Sequence, residues 1–178
     1  ADVDNAEEDL WVAGAGYVFP TAGMQMEVVG SSDDVATTGT GVWTVELHYL
    51  DSNYAEGSET IALNGVTAVA TSSTDILRVQ SFHTLTAGSG ALAAGSIDVR
   101  HLDNTPIYAR IVVGRNNAQQ AIWTVPANKT LYIVEWQASV GNATGGRMAE
   151  FRLRATANDG AYNAGVFQIQ DAIIVQDG

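Results

Sequence analysis

The chain contains no cysteine, which excludes disulfides, thiolate metal sites and a thiol nucleophile, and fits synthesis in a reducing cytoplasm. It has a single lysine, Lys129, and no lysine or arginine before Arg78. Residues 1–77 hold thirteen aspartates and glutamates with no lysine or arginine, whereas residues 78–178 hold seven acidic against eight basic residues. A net charge of −12 argues against phosphate contacts, which need basic surface, so nucleic acid is not an expected partner. No apolar run approaches the roughly 20 residues of a membrane-spanning helix, so no membrane partner is expected either. The acidic start, with Asp2, Asp4, Glu7, Glu8 and Asp9, is the opposite of a basic leader region, and no secretory leader is expected in it. Also missing is the i, i+3, i+4, i+7 apolar spacing of an amphipathic helix.

What is present is alternation broken by turn residues. The clearest case is residues 42–50, where Trp43, Val45, Leu47 and Tyr49 share one face and Thr44, Glu46 and His48 the other. That period of two, carried by β-branched and aromatic residues, is the mark of a half-buried strand. Further strands are predicted over 24–29, 58–63, 66–70, 76–85, 96–102, 107–113, 121–125, 130–139, 149–155 and 166–175. Asn64-Gly65 predicts a tight hairpin between 58–63 and 66–70. Many short strands with glycine-rich turns predict an all-β fold, a jelly-roll-like antiparallel β-sandwich. The alternatives are an immunoglobulin-like sandwich or two small β units joined near residue 90. Residues 1–10 are expected to form a flexible acidic N-terminal arm, and 11–178 a single sandwich domain.

The residue types that carry chemistry are scattered. His48, His83 and His101 fall on three different predicted strands, with no two at i, i+2 or i, i+4 spacing, and are expected to be separate core or surface histidines. Glu46 with Asp51, and Asp98 with Asp103, are expected to be solvated strand-face and turn charges rather than a glycosidase pair. Ser31-Ser32-Asp33-Asp34 lacks the alternating aspartates and distal glutamate of a calcium loop and reads as ordinary loop chemistry. There is no phosphate-binding glycine loop followed by a helix and no nucleophile elbow. Among the tryptophans, Trp43 and Trp123 are expected to point inward. Trp136 lies on a strand with two apolar faces, which points to full burial or a subunit contact. No catalytic residue, cofactor or metal ligand is predicted.

Four stretches together resemble a family of virion structural proteins of tailed bacteriophages, many of them marine. The first runs from Gly39-Thr40-Gly41 through Thr44-Val45, Leu50-Asp51, Asn53-Tyr54, Glu56 and Ser58-Glu59 to Leu63-Asn64-Gly65. The second is Ala87-Gly88-Ser89-Gly90 followed by Ala94-Gly95-Ser96-Ile97. The third is Ile122-Trp123-Thr124-Val125-Pro126-Ala127-Asn128-Lys129-Thr130, which departs from the family in having Asn128 where glycine is preferred. The fourth is Phe151-Arg152-Leu153-Arg154 with Gly165-Val166-Phe167-Gln168-Ile169. Asparagine also tolerates a positive φ, so the third turn is expected to survive.

The resemblance spans roughly residues 24–170 in order, and it carries no catalytic residues over. It implies a non-enzymatic virion protein assembled in the host cytoplasm, foremost a capsid decoration or cement subunit. A tail, head-fibre or adaptor component is the alternative within the virion. The implied partners are further copies of the chain, a trimer first, and other virion proteins such as the major capsid protein. Trp136 and the acidic arm residues Asp2, Asp4, Glu7, Glu8 and Asp9 are the candidate interface positions. Two readings from other classes remain: a carbohydrate-binding module, which requires an exposed aromatic row, and a β-fold hydrolase, which requires Glu46, Asp98 or Glu135 to meet a histidine in a cleft.

Overall fold

A computed structural model describes residues 9–14, 16–139, 148–156 and 167–176. Among these there is no helix, and all strands pair antiparallel. In chain order they are β1 (Met26–Val29), β2 (Val42–Leu50), β3 (Glu56–Ala62), β4 (Val69–Ala70), β5 (Arg78–Ala87), β6 (Ile97–His101), β7 (Ile107–Ile111), β8 (Met148–Ala155) and β9 (Gln168–Gln176). The chain separates into two compact units, residues 1–131 and 132–178. The sheets that face each other lie wholly in the first, whereas the sequence predicts one sandwich over 11–178.

The first unit is a two-sheet antiparallel β-sandwich. One sheet has the order β4-β1-β6-β7 and the other β3-β2-β5. Met26, Val28, Ile97, Val99, Ala109 and Ile111 of the first sheet form one buried cluster with Val42, Val45, Leu47, Ile61, Val79 and Phe82 of the second. Inward side chains alternate along the regular stretches of the strands, with breaks in β2 and β7, and each large aliphatic or aromatic side chain so buried stabilises the fold by about 1.5–3 kcal/mol. The outer faces are polar. On the first sheet Glu27 accepts from Arg100 Nε at 2.7 Å, and Asp98 takes Arg110 in a two-pronged contact of 2.6 and 2.7 Å. The hydrogen bonds that Arg110 donates to Asp98 raise its pKa, against the opposing pull of burial. Arg110→Met is expected to lower the unfolding free energy by about 1–2 kcal/mol in urea melts, a loss that shrinks as salt rises.

The central pairs are nested: β1 lies on β6 in one sheet and β2 on β5 in the other. Of the four connections that cross between the sheets, residues 30–41 and 88–96 run side by side, joined by Gly88 N to Gly41 O and Gly90 N to Thr40 O. Asp34 joins them. Its side chain is fully buried and accepts from Ser31 Oγ (2.6 Å), Ser31 N (3.3 Å), Val42 N (2.8 Å), Ala94 N (3.0 Å) and Gly95 N (3.1 Å). Burial pushes this carboxyl up, but the hydrogen bonds from Ser31, Ala94, Val42 and Gly95 together outweigh it and hold its pKa below the ordinary value. The tetrapeptide Ser31–Asp34 is thus neither a calcium loop nor an ordinary surface loop.

The predicted Asn64-Gly65 hairpin is reduced to a tight turn, with Thr67 N donating to Asn64 O at 3.1 Å, and β3 and β4 do not pair across it. Gly65 has a φ of 63° as a turn requires, but its amide donates to Asp34 O, and Ala36 N donates to Leu63 O. The chain crosses to the other sheet instead, where β4 pairs with β1. Tertiary partners in the Asp34 loop take the backbone groups a hairpin would have used. Residues 121–125 and 130–139, predicted as strands, are in no sheet. Asn128 does adopt the left-handed conformation, with a φ of 60°, and Lys129 N closes the turn on Pro126 O.

Residues 9–14 and 16–20 are tied to the sandwich by aromatic packing. Trp11 and Tyr17 meet edge to face at 5.1 Å, Tyr17 and Phe19 at 4.7 Å, and the Arg78 guanidinium lies 5.4 Å above the Phe19 ring. Burial pushes the Tyr17 phenol far above its usual range. The second unit contains the ribbon β8–β9.

Candidate functional site

The outer face of the β3-β2-β5 sheet carries a row of polar side chains. β2 is the central strand, held by β3 on one side and β5 on the other, so its side chains are positioned by two ladders of hydrogen bonds. Glu46 and His48, two residues apart, point to the same outer face. The register sets Glu46 directly opposite His83, and His48 opposite Ser81. Irregularities in the pairing between Val42 and Val45, and again between His48 and Tyr49, leave a regular stretch between them that fixes this match.

The result is a carboxylate shared by two imidazoles. Glu46 Oε1 lies 3.5 Å from His48 Nε2, and Glu46 Oε2 lies 3.2 Å from His83 Nε2. The two rings are nearly parallel, 13° apart in plane, with centroids 5.8 Å apart. All three side chains are partly exposed, at 44% for His48, 33% for His83 and 28% for Glu46, so the group opens to solvent. Among the described residues, this is the one group of three His, Cys, Asp or Glu side chains close enough to share an ion. An open cleft of about 230 Å³ adjoins it through His48, bordered also by Tyr49, Glu56 and Trp123.

Two histidines expected to be separate therefore meet at Glu46, while His101 lies on β6 in the other sheet, its Nδ1 accepting from Asp103 N at 3.1 Å. The local half of the arrangement, Glu46-x-His48 on one strand face, is present in the alternation of β2. The other half depends on pairing with a strand more than thirty residues away. Of the carboxylates a hydrolase would need beside a histidine, Glu46 has that neighbour. Asp98 is engaged by Arg110, and Glu135 accepts from Gln137 at 2.6 Å.

The predicted interface positions divide. Asp2, Asp4, Glu7 and Glu8 lie outside the described residues. Asp9 is not part of a free arm: its carboxylate accepts from Tyr17 N at 2.7 Å, and the next residue, Leu10, accepts from Ala121 N through its carbonyl. Trp136 is half-buried within the second unit, its indole N–H donating to Asp171 at 2.9 Å. Trp123, expected to be inward, is 52% exposed because its segment joins no sheet. Trp11 is buried, and Trp43 is half-buried with its indole N–H on Gly39 O, so the tryptophans form no exposed row. No protein-family model, curated protein or solved structure matches the chain.

Proposed function

We propose that the chain is a non-enzymatic structural subunit of a virion, a decoration or cement protein of the capsid head that works as a closed homo-oligomer, a trimer first. The observation that carries this is the exposed apolar side chains of residues 131–134 and of β9. Leu131, Tyr132, Ile133 and Val134 are 49%, 81%, 51% and 95% exposed, in a segment with the residue types of a strand but no strand partner among the described residues. Ile169 and Ile174 of β9 are 55% and 68% exposed. A two-stranded ribbon is marginal in water by itself and gains stability from further strands or a packed face. A second copy of the chain supplies both, since each copy brings the same unpaired segment and the same ribbon edges.

The sequence resemblance to phage virion proteins supports the same role, and its glycine motifs fall in the crossing loops that hold the sandwich together. The acidic first part of the chain gives each subunit a charged region that can set its orientation on a neighbour.

Light scattering on the purified chain is expected to give a discrete closed oligomer. The pair Val134→Asp and Ile174→Asp, both at exposed positions that leave the sandwich core intact, is expected to disperse it to monomers. A monomer at every concentration tested overturns the assembly reading. Quantitative mass spectrometry of purified particles then locates it: high copy number supports the head, low copy number a tail or connector ring, and absence from particles overturns the virion role.

A further inference from the structure

The outer face of β2 and β5 assembles donors that match a metal ion better than they match one another. We propose that Glu46, His48 and His83 form a binding site for a divalent first-row transition-metal ion, zinc in the first instance. All three ligands come from one copy of the chain, so the site stands whether or not the chain assembles.

Geometry is the first support. In a tetrahedral zinc site, with ligands at about 2.0–2.1 Å, neighbouring donor atoms are about 3.4 Å apart. The two Glu46–histidine separations are 3.5 and 3.2 Å, and all three donor atoms lie within 4.8 Å of one another. Only the two imidazoles need to draw closer, a movement of side-chain torsions on exposed rings. The backbone need not shift, because Glu46 and His83 are already opposite each other and His48 stands diagonally across from His83.

Donor chemistry is the second support. Two imidazoles and one carboxylate suit zinc, cobalt, nickel and copper ions, whereas magnesium and calcium ions favour all-oxygen sets. Three protein ligands on an open face leave at least one position for water or for a further ligand. The neighbouring cleft, with Glu56 and Trp123 on its border, meets the site at His48 and is where such a ligand has room. The chain's net charge of −12 raises the concentration of cations around it.

An ordinary alternative is a surface carboxylate ion-paired with two histidines, with no affinity for metal. Calorimetric titration of the tag-free, chelator-treated full chain with zinc chloride separates the two. One zinc per chain is expected, with a melting temperature that rises with zinc concentration. Cobalt in its place is expected to give the visible absorption of a four- or five-coordinate ion. His48→Ala and His83→Ala are each expected to weaken zinc binding at least about 100-fold, since loss of an outer-shell partner alone typically costs 10–100-fold. His101→Ala, in the other sheet, leaves binding unchanged. The substituted side chains are partly exposed, and circular dichroism checks that each variant remains folded. Absence of zinc binding overturns the proposal. So does binding that survives the double substitution of His48 and His83, or that calcium displaces as readily as zinc.

Discussion

Asp34→Ala lowers the unfolding free energy by about 3–5 kcal/mol in urea denaturation, the range for removing one partner from a buried charged network. The carboxylate is fully buried and accepts five hydrogen bonds, four of them from backbone amides on both crossing loops. Each buried donor left unsatisfied costs about 1–3 kcal/mol. Water entering the vacated space recovers part of that, which keeps the total below the sum of five full penalties. The pH dependence follows the same group. Its folded-state pKa lies below the ordinary 3.8, so its stabilisation is complete above that value and is lost as pH falls through the folded-state pKa. The wild-type chain is therefore expected to lose stability on acidification below about pH 4, and Asp34→Ala to lose less over the same interval. Equal acid sensitivity in the two proteins would assign the effect to other carboxylates.

The sheet faces were legible in the sequence because each core strand has one wet and one dry side. Val45 and Leu47 are buried and Glu46 and His48 point out, as alternation predicts, but beyond the pairing irregularities Val42 and Leu50 are buried while Trp43 and Tyr49, expected on the Val45 face, are half-buried. Long-range hydrogen bonding was not legible. Asp34 reads as one more polar residue in a loop, since two of its donors lie 60 and 61 residues further along the chain. The same loop takes the backbone groups around Asn64-Gly65 and overrides a strong local hairpin signal. Residues 130–134 misled in the opposite direction: β-branched and aromatic residues give strand character to any segment, but a strand also needs a neighbour. The candidate site shares this limit. Glu46 and His48 could be placed on one face from spacing alone, whereas His83 joined them only once β5 was paired with β2 in register.

The glycines of the motifs 39–41 and 88–90 have a steric reason that a substitution can test. A Cβ on Gly88 would lie 2.3 Å from Gly39 O and 3.0 Å from both Thr40 C and Thr40 O. These are backbone atoms, so no rotamer change relieves the contact, and the two crossing loops must part. Parting them weakens the bonds from Gly88 N to Gly41 O (2.7 Å) and from Gly90 N to Thr40 O (2.8 Å). Alanine also restricts the unfolded chain, which alone would stabilise by about 0.4–1 kcal/mol. Overpacking and two weakened hydrogen bonds exceed that, and Gly88→Ala is expected to cost about 2–4 kcal/mol in urea melts. Gly16→Ala, where an added Cβ meets nothing within 4 Å, is the control and should change stability by less than about 0.5 kcal/mol. Asp34 and Gly88 hold the same two loops together from different points. The double variant should therefore lose less than the two single losses combined, with a coupling of about 1 kcal/mol or more. Once the loops have parted, the hydrogen bonds from Ala94 and Gly95 to Asp34 are already compromised and cannot be lost again. Simple additivity would mean that the two contacts act independently and that the crossing loops are not one cooperative latch.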